Sequence, residues 1–195
     1  KTKPDWTPSG APRTLYGLGA SPGLAVGKLV RHVSQHFDIT DQPGDVIAEG
    51  EALEQALFAV RTEREELEGR TRQRLSAAEA AIFAAQRELL ADPVLTRDAL
   101  VTIMQGHGAA WSWQRALRAR IDKLQQVNDP LLAARAVDLR DVGERVLAQL
   151  LGIERQQITL NEPSILAADD LTPSDTLHLD TRHVVGLATS VGGPT

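Results

Sequence analysis

Five histidines are the side chains of this sequence that ordinarily titrate near neutrality, so His32, His36, His107, His178 and His183 are its first candidates for acid-base work, metal ligation or phosphoryl acceptance. His32 and His36 have the i, i+4 spacing of ligands on a helix. They follow a strand-like run and precede Phe37-Asp38-Ile39-Thr40, however, which favours a solvated surface over a metal pair. His107 stands between two glycines in a turn, and His178 and His183 flank Asp180-Thr181 in another, so the same surface reading applies. No Ser or Asp lies in a nucleophile motif such as G-x-S-x-G, and no catalytic constellation closes on these residues alone. The remaining candidate is Gly192-Gly193-Pro194-Thr195 after a buried-looking strand. Consecutive glycines at a strand end let backbone N–H groups turn toward an anion, although a plain turn has the same composition.

The elements that must position these residues fall into four stretches. Through Thr14 the chain mixes charges with Pro4, Pro8, Gly10 and Pro12 and has no periodicity, which is a linker composition. Leu15 to Val33 is punctuated by Gly17, Gly19, Gly23 and Gly27, with a turn at Ser21-Pro22-Gly23 and a strand expected over Leu24 to Val33. From Val46 to Leu151 the pattern is helical. Leu53, Leu57, Val60 and Leu67 share the first face. A second helix is expected to start at Ser76, which has capping-box spacing to Glu79, to bury Ile82, Phe83, Leu89 and Leu90, and to stop near Asp92-Pro93. A third runs through Val94, Leu95, Leu100, Val101 and Met104 to the Gly106-His107-Gly108 break. Trp113, Leu117, Ile121 and Leu124 stripe a fourth. Asp129-Pro130 opens a fifth, striped by Leu132, Ala136, Leu139, Gly143, Val146 and Leu150 and closed at Gly152. Spacings of four and three sustained over that length are a bundle seam, and Gly143 within it implies close helix packing. Beyond Gly152, Ile165 to Ala168 and Val184 to Ala188 read as strands, with a short helix opening at Thr172-Pro173-Ser174-Asp175. Glycine-rich α/β pieces thus flank a helical block.

Composition bounds the function. At 195 residues, 42% hydrophobic and 24% charged, the balance is globular, and a formal net charge of -5 leaves no basic stripe for general nucleic-acid binding. An acidic surface suits a basic protein partner. With Cys 0 there is neither a disulfide framework nor a Cys-ligated metal. No apolar run approaches the ~20 residues of a membrane span, and the N-terminus lacks a signal-peptide core. The expectation is a soluble protein without membrane insertion, compatible with the cytoplasm.

Five segments in order carry a more specific signal. They are Gly19-Ala20-Ser21-Pro22-Gly23-Leu24-Ala25-Val26-Gly27; Glu79-Ala80-Ala81-Ile82-Phe83 with Glu88-Leu89-Leu90-Ala91-Asp92-Pro93; Asp129 to Gly152, including Arg135-Ala136-Val137-Asp138-Leu139-Arg140-Asp141-Val142-Gly143; Ala167 to Ser174; and Val191-Gly192-Gly193-Pro194-Thr195. Together, over residues 15 to 195, they resemble Enzyme I, the phosphoenolpyruvate-protein phosphotransferase of the bacterial sugar phosphotransferase system.

That resemblance implies a helical-bundle subdomain inserted into a discontinuous, truncated phosphohistidine swivelling α/β domain. Residues 1–14 would be a linker, 15–45 and 152–195 the partial α/β domain, and 46–151 the helical HPr-binding subdomain. It implies that phosphoryl passes from phosphoenolpyruvate through a histidine just beyond Thr195 to HPr, so that this stretch alone would be inactive. It would need no cofactor of its own. Mg²⁺, the phosphoenolpyruvate domain and the homodimer contact would belong to the parent's C-terminal domain. By the same resemblance Thr176, Gly192, Gly193 and Thr195 line the phosphoacceptor site, and Glu79, Gln86 and Arg135 meet the partner. The Thr176 hydroxyl either orients the acceptor imidazole or satisfies its own helix turn. Arg135 either docks the partner or pairs at i+3 with Asp138. Where the family often has consecutive carboxylates, this sequence has Ala77-Ala78 before Glu79, which weakens attraction for a basic HPr face. If the linker joins an HPr-like domain, as in fused multiphosphoryl transfer proteins, effective concentration would compensate. The competing readings are a helical interaction module without phosphotransfer and a phosphohistidine domain of the pyruvate phosphate dikinase kind, against which the helical block argues.

Overall fold

The computed structural model describes residues 14–33, 37, 39–74, 77–127, 129–153, 158–169, 171, 175–176 and 179–190. Strand β1 (Lys28–His32) is followed by five helices, α1 (Val46–Arg74), α2 (Ala77–Leu90), α3 (Pro93–Met104), α4 (Ala109–Gln126) and α5 (Pro130–Leu150). Strands β2 (Ser164–Ala168) and β3 (Val184–Thr189) complete the order.

The helix starts follow from capping chemistry. The Asp45 carboxylate accepts the N–H groups of Ile47 and Ala48 at the head of α1. Asp92 accepts from Val94 ahead of Pro93, and Asp129 accepts from Leu131 and Leu132 around Pro130. Each satisfies donors that a helix start leaves unpaired. Gly152, at φ 63°, ends α5 in the left-handed region that glycine tolerates. α2 begins at Ala77; the expected cap, Ser76, lies outside the described residues, as does the Thr172-Pro173-Ser174 start of the short helix, of which Asp175–Thr176 is described. α4 has no cap of its own, because its N-cap is Gly108. Two distant carboxylates take over: Asp41 accepts from Gly108 N–H at 3.0 Å and Glu49 from Ala109 N–H at 2.6 Å.

The core is the expected seam. Leu53, Leu57 and Val60 of α1, Trp113, Leu117 and Ile121 of α4, and Ala136, Leu139 and Val146 of α5 are all buried in one cluster. A Cβ on Gly143 would lie 2.5 Å from the Leu117 methyls, so the absent side chain is what lets α4 and α5 meet. One helix differs from expectation in the face it buries. α2 buries Phe83 and Leu90 but also Ala80, while Ile82 faces out and Leu89 is half-buried. In α3 the inward row is Leu95, Ala99, Thr102 and Ile103, whereas Val94, Val101 and Met104 are exposed. Both helices have apolar residues on more than one face, and only the neighbours decide which face is covered.

The three strands form one parallel sheet in the order β1-β2-β3, with His32 beside Ala168 and Ala168 beside Thr189 at one end. β1 is shorter than the expected Leu24–Val33 span. Central β2 buries Ser164, Leu166 and Ala168. The edge strands leave Leu29 and Leu187 exposed, as are Leu24 and Val26 before β1, so apolar area of the sheet is uncovered among the described residues. The whole bundle sits in the crossover between β1 and β2.

Candidate functional site

A parallel sheet points all its strand carboxyl ends to one side, and in open α/β sheets ligands bind in the crevice outside those ends. Here that edge is formed by His32, Ala168 and Thr189. The two exits beside it are tied together. Ser190 N–H continues the ladder to Ala168 O at 3.1 Å, and its hydroxyl lies 3.3 Å from both the carbonyl and the carboxylate of Asp169. One exit leads to Thr176, which is exposed and whose carbonyl accepts from Leu179 N–H at 3.2 Å. The other leads to Gly192, Gly193 and Thr195, which lie outside the described residues. The expected phosphoacceptor segments thus depart from neighbouring points of one edge.

The expected partner-binding residues separate. Arg135 is exposed on α5, where a partner can reach it. Its i+3 neighbour Asp138 is half-buried, and its carboxyl is pushed above the ordinary value by burial first and by Asp141 second, with Arg135 opposing. Glu79 lies on α2, with its side chain outside what the structure describes. Gln86 must be corrected: it is wholly buried and presents nothing to a partner. Its amide accepts from Arg64 at 3.1 Å and donates to Asp141 at 3.1 Å, joining α1, α2 and α5 beneath the surface. Arg64, itself fully buried, also reaches Glu63 at 3.0 Å and lies 5.6 Å over the Phe83 ring, and Arg145 donates to the same Glu63 oxygen at 2.9 Å. A charge that deep persists only with partners of this kind. Its sequence signal is an arginine in phase with the apolar stripe, between Val60 and Leu67.

The histidines also separate. His32 ends a strand, so helical spacing to His36 does not apply, and His36 and His178 lie outside the described residues. His183 is half-buried with Nδ1 3.3 Å from Asp180. His107 is not the solvated turn residue the sequence suggests. Its Nδ1 is 2.6 Å from an Asp41 oxygen, and its ring stacks on Trp111 with centroids 4.5 Å apart. No group of three potential metal-ligating side chains occurs among the described residues.

The His107 hydrogen bond, then the Gly108 N–H, hold the Asp41 carboxyl below its ordinary value of 3.8. A carboxylate depressed on folding stabilises the fold above its unfolded pKa, and that contribution fades as pH falls through the folded value. Acid titration followed by circular dichroism is therefore expected to show stability falling below about pH 4, with a shallower fall in Asp41→Asn. Equal slopes would exclude Asp41 as a contributor.

The model of the family described as PEP-utilising enzyme, N-terminal, matches residues 16–135, more than half of the chain. The chain belongs to the PEP-utilising enzyme family. The matched region begins ahead of β1 and ends at Arg135, so it includes the Asp41–His107 contact and both Arg64 and Gln86. Among relatives, the multiphosphoryl transfer protein of Xanthomonas campestris pv. campestris is 44% identical over 97% of this chain and 23% of its own length. The phosphoenolpyruvate-protein phosphotransferase of Bacillus sp. (strain S) is 33% identical over 94% of this chain and 32% of its own. A solution structure of Enzyme I (nEIt) superposes with a TM-score of 0.68 at 32% identity, covering 89% of this chain and 72% of that one. The chain therefore matches an Enzyme I N-terminal fold, mostly helical with a small parallel sheet, and spans about a quarter to a third of the length of the curated relatives it matches.

Proposed function

We propose that this chain is the N-terminal part of a phosphoenolpyruvate-protein phosphotransferase that relays phosphoryl, through a histidine following Thr195, to HPr or a fused HPr-like domain in sugar uptake. The observation that carries this reading is the 44% identity to a multiphosphoryl transfer protein along nearly the whole chain. Residues 15–45 and 152–195 are the phosphohistidine α/β domain, 46–151 its inserted HPr-docking subdomain, and 1–14 a linker from a preceding module. In this scheme the sheet's carboxyl edge holds Thr176 and the Gly192-Gly193-Thr195 segment around the acceptor imidazole. Such catalysis is mostly positioning and charge stabilisation. Glu79 and Arg135 meet the partner, while Gln86 supports α2 from beneath. The phosphoenolpyruvate site, Mg²⁺ and the dimer contact are supplied by the parent's C-terminal domain, and the assembly works in the cytoplasm.

Two measurements test the reading. Titration of the isotope-labelled chain with HPr should shift amides on the exposed faces of α2 and α5, with Arg135→Ala and added salt both weakening the complex. The full-length parent should take up labelled phosphoryl from phosphoenolpyruvate and pass it on. No shifts at millimolar HPr would sink the docking assignment, and no uptake by the parent would sink the phosphotransfer.

A further inference from the structure

Leu117, whose methyls occupy the space over Gly143, also lines a cavity of about 260 Å³ between α4 and α5. Its floor is apolar, made by Leu117 and Ile121 of α4, Leu147 of α5 and Phe37. The first three belong to the buried core, and Phe37 packs against it. Gln114, also in the lining, donates its Nε2 to the Phe37 carbonyl at 2.8 Å and so fixes that wall to α4.

The rim is charged. Arg118 and Asp122 lie one turn apart on α4, and Arg140 and Glu144 one turn apart on α5. In both cases the arginine precedes the acid, the weaker order for an i, i+4 helix pair. On α1 the acids come first, and there the pairs form: Arg70 reaches Glu66 at 3.2 Å and Arg72 reaches Glu68 at 2.7 Å. Among the described residues Arg118, Arg140 and Asp122 have no ion pair. A guanidinium presents its donors in a planar fork that matches a carboxylate, so two free ones beside one cavity call for an anion. The free Asp122 carboxylate calls for a cation on the same ligand, and the apolar floor for hydrocarbon. The cavity lies just below the ~300–1,000 Å³ of drug-sized sites, so the ligand is small.

We propose that this cavity binds a small apolar α-amino acid, its carboxylate held by Arg118 and Arg140, its ammonium by Asp122 and its side chain on the apolar floor. The site is independent of the phosphotransfer reading, since it uses neither the carboxyl edge of the sheet nor Glu79 and Arg135.

L-Phenylalanine titrated into the isotope-labelled chain should shift amides of residues 114–122 and 140–147 saturably, with a dissociation constant of roughly 1 mM, as expected for a ligand of this size. 3-Phenylpropionate lacks the ammonium and 2-phenylethylamine the carboxylate, so each should bind about tenfold more weakly. Arg118→Gln combined with Arg140→Gln should weaken phenylalanine binding by about tenfold or more. Circular dichroism should be unchanged, because both side chains are exposed. Asp122→Asn should weaken phenylalanine about tenfold yet leave 3-phenylpropionate unaffected, a split that damage to the fold would not produce. Three results would each overturn the proposal. They are no saturable shift up to about 20 mM phenylalanine, 3-phenylpropionate binding as tightly as phenylalanine, and affinity retained in the double arginine variant.

Discussion

Replacing Trp113 with alanine is expected to destabilise the chain by about 4 kcal/mol, the largest effect of any single truncation in this molecule. Trp113 is the largest fully buried side chain, and it sits in the seam between α4 and α5. Its indole N–H donates to the Gly143 carbonyl at 3.0 Å. That contact is possible because Gly143 has no side chain and Leu117 fills the space where one would be. Truncation would leave a cavity that the flanking helices cannot close without losing this register. For a chain of this size each kcal/mol moves Tm by about 2–4 °C, so a drop of roughly 8–16 °C follows. Trp113→Phe keeps most of the volume and loses chiefly the hydrogen bond, for a cost nearer 1 kcal/mol plus repacking. A Trp113→Ala variant melting within about 3 °C of wild type would show that the seam collapses freely and that the packing argument is wrong.

Arg64→Met is expected to cost about 3 kcal/mol, for an electrostatic reason. It removes a buried cation and takes its donor from the Gln86 carbonyl oxygen, whose own amide holds the Asp141 carboxylate, 1% exposed. Removing one member of a buried charged network is far more damaging than replacing the whole network with apolar groups of similar volume. The triple variant Arg64→Met, Gln86→Leu, Asp141→Leu should therefore recover much of the loss in chemical denaturation. If the triple variant is less stable than Arg64→Met by the sum of the separate Gln86→Leu and Asp141→Leu costs, the three residues are independent and the network has no energetic identity. Gln86 lies on the inner face of α2 and helps fix that helix against α1 and α5, so under the proposed docking role its substitution should alter partner affinity through helix position and not through lost contact.

Much of the bundle was legible because its information is local. Asp92-Pro93, Asp129-Pro130 and Gly152 mark helix ends through backbone chemistry that acts within a few residues, and the structure has helix boundaries at each. The stripes Leu53-Leu57-Val60 and Trp113-Leu117-Ile121 declare their buried faces through a period of 3.6. Gly143 in the seam was readable for the same reason. In α2 and α3, by contrast, Ile82, Val94, Val101 and Met104 are exposed because both helices carry apolar residues on more than one face.

What tertiary structure alone decided is what joins residues far apart in the chain. Nothing local distinguishes His107 in its glycine turn from a solvated histidine; its partner Asp41 is 66 residues away. Gln86 stands at a position that resemblance assigns to the partner, yet the fold turns it inward to Arg64 and to Asp141, 55 residues distant. The sequence by itself determined the helix limits, the seam and the family likeness, since periodicity, capping and motif order are properties of neighbouring residues. Only the tertiary structure decided which polar groups are buried, because the cost of burying a charge depends on partners that the chain brings together after hundreds of ångströms of contour.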